Sequence, residues 1–244
     1  MLLALDIGNT DTVIGLFKGE ILFFQKRIPT PEILRYAQND KSKHIDSAII
    51  SSVVPSLDKR IKKELKKNIS LNKILFVTHR LKLPIRLLVD RPKEVGADRI
   101  VNNSAAFEKY KQPLLVIDLG TATTVDYIDT KGNYRGGLII PGLKISAQAL
   151  FDRAAKLPII SFKAPKKLLG KNTVHQMQSG IVQGYAAMID GVIAKIQKEI
   201  HQKPKIILTG GLGHLLSPLL SFSHVFDPLL TLRGLCLLAK INKK

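Results

Sequence analysis

The sequence contains two similar segments, LLALDIGNTDTV at residues 2–13 and LLVIDLGTATTV at residues 114–125. Six of their twelve aligned positions are identical, and the stretches begin 112 residues apart. Each contains an apolar run, an aspartate, a glycine, and then threonine and valine. This pattern predicts a strand, a tight turn and a returning strand. Its recurrence predicts two duplicated halves, which we place at 1–112 and 113–244.

The remaining sequence alternates between short apolar runs and amphipathic helical patterns, which is typical of an α/β protein. Strands are predicted at 49–54, 74–77 and 206–208, and helices at 57–69, 98–110 and 172–202. The helix at 57–69 has apolar residues four apart and Lys or Arg on its other faces. The long helix contains Gly180, Gly184 and Gly191. Each glycine costs about 1 kcal/mol relative to alanine, so we expect close packing there to offset it.

Composition limits the class of protein. The chain has 244 residues, 45% of them hydrophobic, which excludes disordered and collagen-like chains. The single cysteine, Cys236, cannot form an intramolecular disulfide, so a reducing cytoplasm is the expected compartment. No apolar run approaches the ~18 residues that a membrane-spanning helix needs. The apolar start at residues 1–5 stops at Asp6, too early for a secretory signal.

The charge is strongly positive, with 38 Lys and Arg against 19 Asp and Glu, a formal net charge of +19. Clustered cations favour nucleic-acid binding because they neutralise phosphates. A generally basic surface, or one that steers anionic substrates, accounts for the charge as well. The basic helix has no interleaved aromatic residues for base stacking, and tryptophan is absent. We therefore expect no nucleic-acid partner.

The two predicted hairpins suit phosphate binding. A glycine turn lets backbone N–H groups and Thr or Asn side chains converge on an anion. Asp6 and Asp118, at the strand ends, would repel phosphate directly, so we expect them to hold a cation that bridges to it. Two such hairpins facing each other would clamp the triphosphate of a nucleotide. The alternative is a pair of ordinary turns in which both aspartates bond to nearby backbone.

Other site motifs are incomplete. Residues 137–144 have the glycine spacing of a P-loop, but Leu143 stands where the lysine should be. Residues 211–216 lack the third glycine of a dinucleotide fingerprint. The histidines are scattered and do not have the spacing of metal ligands; they are His44, His79, His175, His201, His214 and His224.

Taken together, the motifs resemble those of the type III pantothenate kinases, members of the actin-like, sugar kinase and Hsp70 superfamily. Eight of them occur in the order of that family: DIGNT (6–10), SSVVP (51–55), EVGADRIVN (94–102), DLGTATT (118–124), GGLIIPG (136–142), NTVHQMQSG (172–180), TGGLG (209–213) and DPLLTLRGL (227–235). The resemblance implies two ribonuclease H-like (actin-like ATPase) domains. Each would have a mixed sheet flanked by helices, with the active site in the cleft between the two domains.

The resemblance also implies a reaction, the ATP-dependent phosphorylation of pantothenate to 4′-phosphopantothenate, the first step of coenzyme A biosynthesis. Asp98 is the implied general base on the primary alcohol of pantothenate. The implied nucleotide loop runs from Asp6 through Ile7, Gly8, Asn9, Thr10, Asp11 and Thr12 to Val13, and Thr121 would also contact ATP. The implied pantothenate residues are Gly96, Ala97, Asp98 and Arg99, with Thr173 from the partner subunit of a homodimer.

Asp6 would lie near Mg²⁺, and Asp118 would bind the monovalent cation, K⁺ or NH₄⁺, that the family requires. The long helix at 172–202 is the candidate for much of the dimer interface. One departure from the family is visible: Val89 stands where an aromatic residue often packs on pantothenate. It affects the expected shape of the substrate pocket and leaves the phosphoryl-transfer residues intact.

Two other functions remain open from the sequence. A non-catalytic nucleic-acid-binding or regulatory protein on the same scaffold is favoured by the charge, but the presence of Asp6, Asp98 and Asp118 argues against it. A kinase for another small alcohol, such as a sugar, is chemically similar. The short chain leaves little room for the extra substrate domains of sugar kinases.

Overall fold

The computed structural model describes residues 1–35, 45–68 and 71–243. It contains strands β1 Leu2–Ile7, β2 Asp11–Lys18, β3 Ile21–Pro29, β4 Ser47–Ser52, β5 Lys73–Phe76, β6 Arg86–Leu87, β7 Leu114–Leu119, β8 Ala122–Ile128, β9 Asn133–Pro141, β10 Lys205–Thr209 and β11 Val225–Phe226. The helices are α1 Pro55–Asn68, α2 Ala97–Tyr110, α3 Leu143–Arg153, α4 Thr173–Gln178, α5 Gly184–Glu199, α6 Gly213–Leu216 and α7 Leu230–Ile241. Among the described residues, no helix is long and apolar enough to cross a membrane.

The strands form two mixed sheets with related orders. The first is β3-β2-β1-β4-β5 and the second is β11-β10-β7-β8-β9-β6. In the first, β2 is antiparallel to β1 and β4 is parallel to it. In the second, β7 lies between β8 and the parallel strand β10. In the first sheet the antiparallel strands β3, β2 and β1 lie beside the parallel strands β4 and β5. In the second, the parallel strands β10 and β11 lie on one side of β7. The fold is the predicted α/β class with two ribonuclease H-like sheets.

The chain divides into two compact units. Unit 1 comprises Met1–Gln112, Ile128–Gly136 and Leu229–Lys244, and unit 2 comprises Pro113–Tyr127 and Gly137–Pro228. The division into compact units does not test whether the chain consists of duplicated halves at 1–112 and 113–244. The duplication therefore stays a prediction.

In unit 1, successive strand residues point to opposite faces of the first sheet. Side chains on both faces are buried. Leu3, Leu5 and Ile7 of β1 pack in one core with Ile61 and Leu65 of α1. The other face, which includes Ala4, packs in a second core with residues of α2 and α7. Helices therefore cover this sheet on two sides, and β1 ends beneath them at Asp6 and Ile7.

In unit 2, Leu115, Ile117 and Leu119 of β7 share a core with Ile189 and Ile193 of α5. The path predicted as one helix over 172–202 is α4, a π-helical turn at Ser179–Gln183, and α5, which ends at Glu199. The helix predicted at 57–69 is confirmed as α1, although Ile69 lies outside the described residues, as does His44. The other predicted strands and helices are confirmed to within two residues.

Candidate active site

The first hairpin is closed by a turn that only glycine fits. The N–H of Gly8 donates to the carbonyl of Asp11 at 3.0 Å, and a Cβ on Gly8 would lie 2.9 Å from that oxygen. Thr30 holds the turn from outside: its hydroxyl donates to the carbonyl of Gly8 at 2.7 Å, and its N–H donates to the carbonyl of Thr10 at 2.9 Å. Asn9 and Thr10 remain exposed at the tip.

Three residues of the predicted nucleotide loop point into the protein. The side chains of Ile7 and Val13 lie in the cores of unit 1. Thr12 is fully buried, and its hydroxyl lies 3.1 Å from that of Thr30. These residues support the hairpin, and contacts from them to a ligand would come through backbone atoms. Asp11 is partly exposed and pairs with Arg27 at 3.5 Å.

Asp6 occupies the end of β1, opposite Ser51 of β4 in the parallel ladder. Burial raises the pKa of the Asp6 carboxyl to about 7, and the negative charge of Asp98 contributes to the increase. The side chain of Ser51 and the positive charge of Arg27 act in the opposite direction. A cation bound beside Asp6 would favour its ionised form.

Asp98 is the second residue of α2, which begins after Gly96. Its Oδ1 accepts a hydrogen bond from the N–H of Arg99 at 2.8 Å. Burial raises the pKa of the Asp98 carboxyl, while this hydrogen bond and the charge of Arg99 limit the increase. A Cβ on Gly96 would lie 2.5 Å from Oδ1, so glycine leaves room for the carboxylate. The predicted pair Asp6 and Asp98 is thus brought into electrostatic contact within unit 1.

The remaining predicted pantothenate residues of unit 1 surround the start of α2. The guanidinium carbon of Arg99 lies 5.8 Å from the ring centre of the buried Tyr134. The N–H of Leu88 donates to the carbonyl of Tyr134 at 3.0 Å, which fixes the backbone just before Val89. Val89 itself is half-buried. Residues 86–99 and β9 are therefore joined through Tyr134.

The second hairpin carries Asp118 at the end of β7, in register with Thr209 of β10. Gly210 adopts a φ of +96°, and a Cβ there would lie 2.5 Å from Oδ1 of Asp118. Gly142 also approaches this turn closely, since a Cβ on Gly142 would lie 2.1 Å from the carbonyl oxygen of Thr121. Three glycine turns, at 120, 142 and 210, therefore converge around Asp118 and Thr121 in unit 2.

Thr173, the last predicted substrate residue, also belongs to unit 2. It is exposed and is the first residue of α4, whose start is capped by the side chain of Asn172 accepting from the N–H of His175 at 2.9 Å. The sequence reasoning missed three residues that shape the first hairpin: Thr30, Ser51 and Arg27. Ser51 stands within the quoted SSVVP motif, which was the available signal.

Comparison with known proteins identifies the family. Residues 2–195 match the family model described as type III pantothenate kinase. A protein of that name from Syntrophus aciditrophicus is 44% identical over 99% of this chain and 100% of its own length. Another from Syntrophotalea carbinolica is 41% identical over the full length of both. A solved Baf family structure from Campylobacter jejuni shares the fold, with a TM-score of 0.65 at 20% identity, covering 99% of this chain and 98% of its own.

The match to the family model covers more than half of the chain, and the relatives match it from end to end. Both units, with their Asp-x-Gly hairpins, fall inside these matches. The chain belongs to the type III pantothenate kinase family.

Proposed function

We propose that this protein transfers the γ-phosphoryl group of ATP to the primary alcohol of pantothenate, giving 4′-phosphopantothenate and ADP. The observation that carries the proposal is full-length identity of 44% to a type III pantothenate kinase. The buried pair Asp6 and Asp98 supports it, because phosphoryl transfer needs a cation ligand and a base on the attacking alcohol.

Asp98 is the proposed general base. Its raised pKa brings the carboxylate closer to the basicity that proton abstraction near neutral pH requires. The N–H of Arg99 fixes one carboxylate oxygen, which leaves the other to accept the proton of the alcohol. Gly96, Ala97 and Arg99 would hold pantothenate beside it.

Asp6 is the proposed contact to Mg²⁺. Mg²⁺ prefers oxygen ligands, and the mutual repulsion of Asp6 and Asp98 is relieved by a cation, so the donor set fits. Bound Mg²⁺ neutralises charge on the phosphates. The chain itself contributes the exposed tip of the first hairpin, Asn9 and Thr10, to bind and orient the triphosphate. Thr121 would contact ATP from the second hairpin.

Asp118 is the proposed ligand of K⁺ or NH₄⁺. Its carboxylate supplies oxygen ligands, which hard cations take, and Gly210 brings backbone close beside it. We expect ADP release by the wild type to depend on K⁺ or NH₄⁺ and this dependence to be lost in Asp118→Asn. Asp152→Asn, an exposed carboxylate of α3, is the control and should keep it. Retained K⁺ activation in Asp118→Asn would remove the assignment.

A homodimer in which Thr173 completes the partner's pantothenate site is also proposed. It is supported by the exposed face along the path from α4 to α5, where a Cβ on Gly180, Gly184 or Gly191 would meet nothing within 4 Å. Exposed apolar side chains accompany this face, among them Val174 and Met188. A second copy of the chain would cover both features and account for the glycines.

The dimer proposal is tested by Gly184→Arg, because the chain has space for the new side chain at that position. Light scattering should show a monomer that retains the wild-type circular dichroism and has little kinase activity. Glu199→Arg, at the exposed end of α5, should stay dimeric. A wild-type protein that is monomeric and active would overturn the proposal.

The function itself is tested by measuring ADP release from ATP with pantothenate, glucose, N-acetylglucosamine and glycerol as alternative acceptors. We expect turnover only with pantothenate. Turnover with a sugar instead would favour the sugar kinase alternative. No turnover with any acceptor would favour the non-catalytic alternative, against the family match.

We place the enzyme in the cytoplasm, supported by the buried free thiol of Cys236.

A further inference from the structure

Ser217 and His224 form a hydrogen-bonded pair in unit 2 that the kinase reaction does not use. The Oγ of Ser217 lies 2.7 Å from Nε2 of His224, and Nδ1 of His224 lies 2.9 Å from the carbonyl oxygen of Phe222. A carbonyl oxygen only accepts hydrogen bonds, so Nδ1 must carry the proton. In the neutral imidazole Nε2 therefore holds a lone pair, and the hydroxyl of Ser217 donates to it.

The pair is held by two anchored elements. Ser217 directly follows α6, where Gly213 packs so closely on Phe226 that a Cβ would lie 2.1 Å from the ring. His224 directly precedes β11, whose Phe226 pairs with Leu208 of β10. The N–H of Leu220 donates to the carbonyl of Ser217 at 3.3 Å. Both residues are therefore anchored to β11: Ser217 through the packing of Gly213 on Phe226, and His224 through its position next to the strand.

A nearby serine provides a contrast. Ser221 donates to the carboxylate of Asp190 at 2.7 Å, in an exposed position. A carboxylate is a much weaker base than imidazole, so it does not prepare the hydroxyl for attack. Ser217, by comparison, has an imidazole base that a third group orients, which is the arrangement that activates serine nucleophiles. Ser217 and His224 are half-buried, which leaves them reachable from solvent.

We propose that Ser217 is an activated nucleophile that accepts an acyl group from activated esters or thioesters. In this step the Oγ of Ser217 forms a bond to the acyl carbon, and the bond from that carbon to its leaving oxygen or sulfur breaks. The Oγ proton passes to Nε2 of His224, which then gives it to the departing alcohol or thiol. The product is an acylated serine and a free alcohol or thiol. This site is independent of pantothenate phosphorylation.

The test uses p-nitrophenyl acetate and a fluorophosphonate probe on the full-length protein. We expect one equivalent of p-nitrophenolate per chain and one label, which peptide mass spectrometry maps to Ser217. Ser217→Ala should abolish both, and His224→Gln should slow labelling about 100-fold or more, the usual contribution of a general base. Ser221→Ala is the matched control and should label like the wild type.

Kinase activity gives the second measurement. Ser217→Ala should phosphorylate pantothenate at the wild-type rate, which also shows that the variant is folded. Wild-type labelling no greater than that of Ser217→Ala would overturn the proposal. Labelling of His224→Gln at the wild-type rate, in a protein with unchanged circular dichroism, would also overturn it, since the imidazole would then have no part in activation.

Discussion

At the scale of single residues, the proposed chemistry depends on two acidic groups of unit 1, Asp6 and Asp98, which interact electrostatically. Asp6 has a pKa of about 7 because it is buried and because Asp98 is close. The proposed partners of the two carboxylates differ: a cation for Asp6 and the alcohol of the substrate for Asp98. Removing one carboxylate should therefore give a loss distinct from removing the other.

Asp98→Asn keeps the size of the side chain and removes its basicity. We expect turnover to fall by about 10²–10⁴-fold, the typical contribution of a general base, while the affinity for ATP stays within about twofold. Steady-state kinetics and calorimetric titration with ATP measure the two quantities. Glu94→Gln, an exposed carboxylate just before α2, should leave both unchanged. Near-normal turnover of Asp98→Asn would exclude Asp98 as the base.

Asp6 should weaken the folded state as the pH rises. Its pKa is higher in the folded chain than in the unfolded chain, so its neutral form is favoured on folding. The favourable contribution is complete below about pH 4 and is lost as the pH rises through about 7. Because one pKa unit corresponds to about 1.4 kcal/mol, the loss is on the order of 4 kcal/mol.

Asp6→Asn should remove this loss. In Mg²⁺-free urea denaturation we expect the variant to exceed the wild type in unfolding free energy at pH 8 and to match it near pH 4. Asp152→Asn serves as the control and should follow the wild type at both values. An Asp6→Asn variant that is less stable than the wild type at pH 8 would contradict the raised pKa.

The sequence singles out Asp6, Asp98 and Asp118 as candidate site residues because each lies in a short local motif. The residues that support the first hairpin come from far along the chain. Thr30 holds the turn at Gly8 from 22 positions away, and Ser51 reaches Asp6 only through the pairing of β1 with β4. No local pattern specifies which strand lies beside which, so these partners could not be predicted.

At the scale of secondary-structure elements, the second hairpin depends on how closely neighbouring turns approach. Gly142→Ala would place a Cβ 2.1 Å from the backbone oxygen of Thr121, which cannot rotate away. We expect unfolding free energy to fall by about 1–3 kcal/mol, as for other overpacked sites. Gly15→Ala is the comparison, since its Cβ would meet only side-chain ends of Leu22 and Leu232 at 3.0 Å or more. Equal losses in the two variants would contradict this account.

Helix α2 contains two buried asparagines in different situations. The Oδ1 of Asn102 accepts from the hydroxyl of Thr231 on α7 at 2.8 Å. Among the described residues, Asn103 finds no hydrogen-bond partner for either amide atom, although it is fully buried. Such unpaired groups cost about 1–3 kcal/mol. Asn103 lies in the same buried turn as Ile100 and Val101.

Replacing each asparagine by leucine separates the two cases. Asn103→Leu should raise the unfolding free energy by about 1–3 kcal/mol because the unpaired amide is removed. Asn102→Leu should lower it, since the hydroxyl of Thr231 loses its acceptor. Urea denaturation of both variants checks the difference. A loss of stability in Asn103→Leu equal to that in Asn102→Leu would contradict it.

The path predicted as one helix over 172–202 shows which structural details apolar periodicity does not reveal. Apolar residues at steps of three and four predict one helix over 172–202, and these steps continue across the π-helical turn at Ser179–Gln183. A π turn contains one more residue than an α-helical turn. The apolar residues therefore keep their spacing of three and four across it, and the sequence shows no break. The helix also ends earlier, at Glu199, before His201 adopts a φ of +50°.

At the scale of the whole molecule, the chain has a formal net charge of +19. The six Lys and Arg residues of α1 are exposed, while Ile61 and Leu65 are buried beneath them, as the amphipathic pattern predicts. ATP and pantothenate are both anions, so a positive surface favours their encounter with the protein. The charge thus supports the proposed reaction without calling for a nucleic-acid partner.

The repeated strand order gives both sheets the same glycine hairpin at the same topological position. This agreement between the sequence echo and the fold fits the family that the full-length match shows. The central claim is that the phosphoryl group reaches the primary alcohol of pantothenate with Asp98 as the base.

The most direct measurement is ³¹P NMR with mass spectrometry of pantothenate after incubation with the purified protein, ATP, Mg²⁺ and K⁺. We predict a single phosphomonoester on the primary hydroxyl, formed by the wild type and by Glu94→Gln and almost absent with Asp98→Asn. Unmodified pantothenate after incubation with a folded, ATP-binding wild-type protein would contradict the account, and so would equal product from Asp98→Asn.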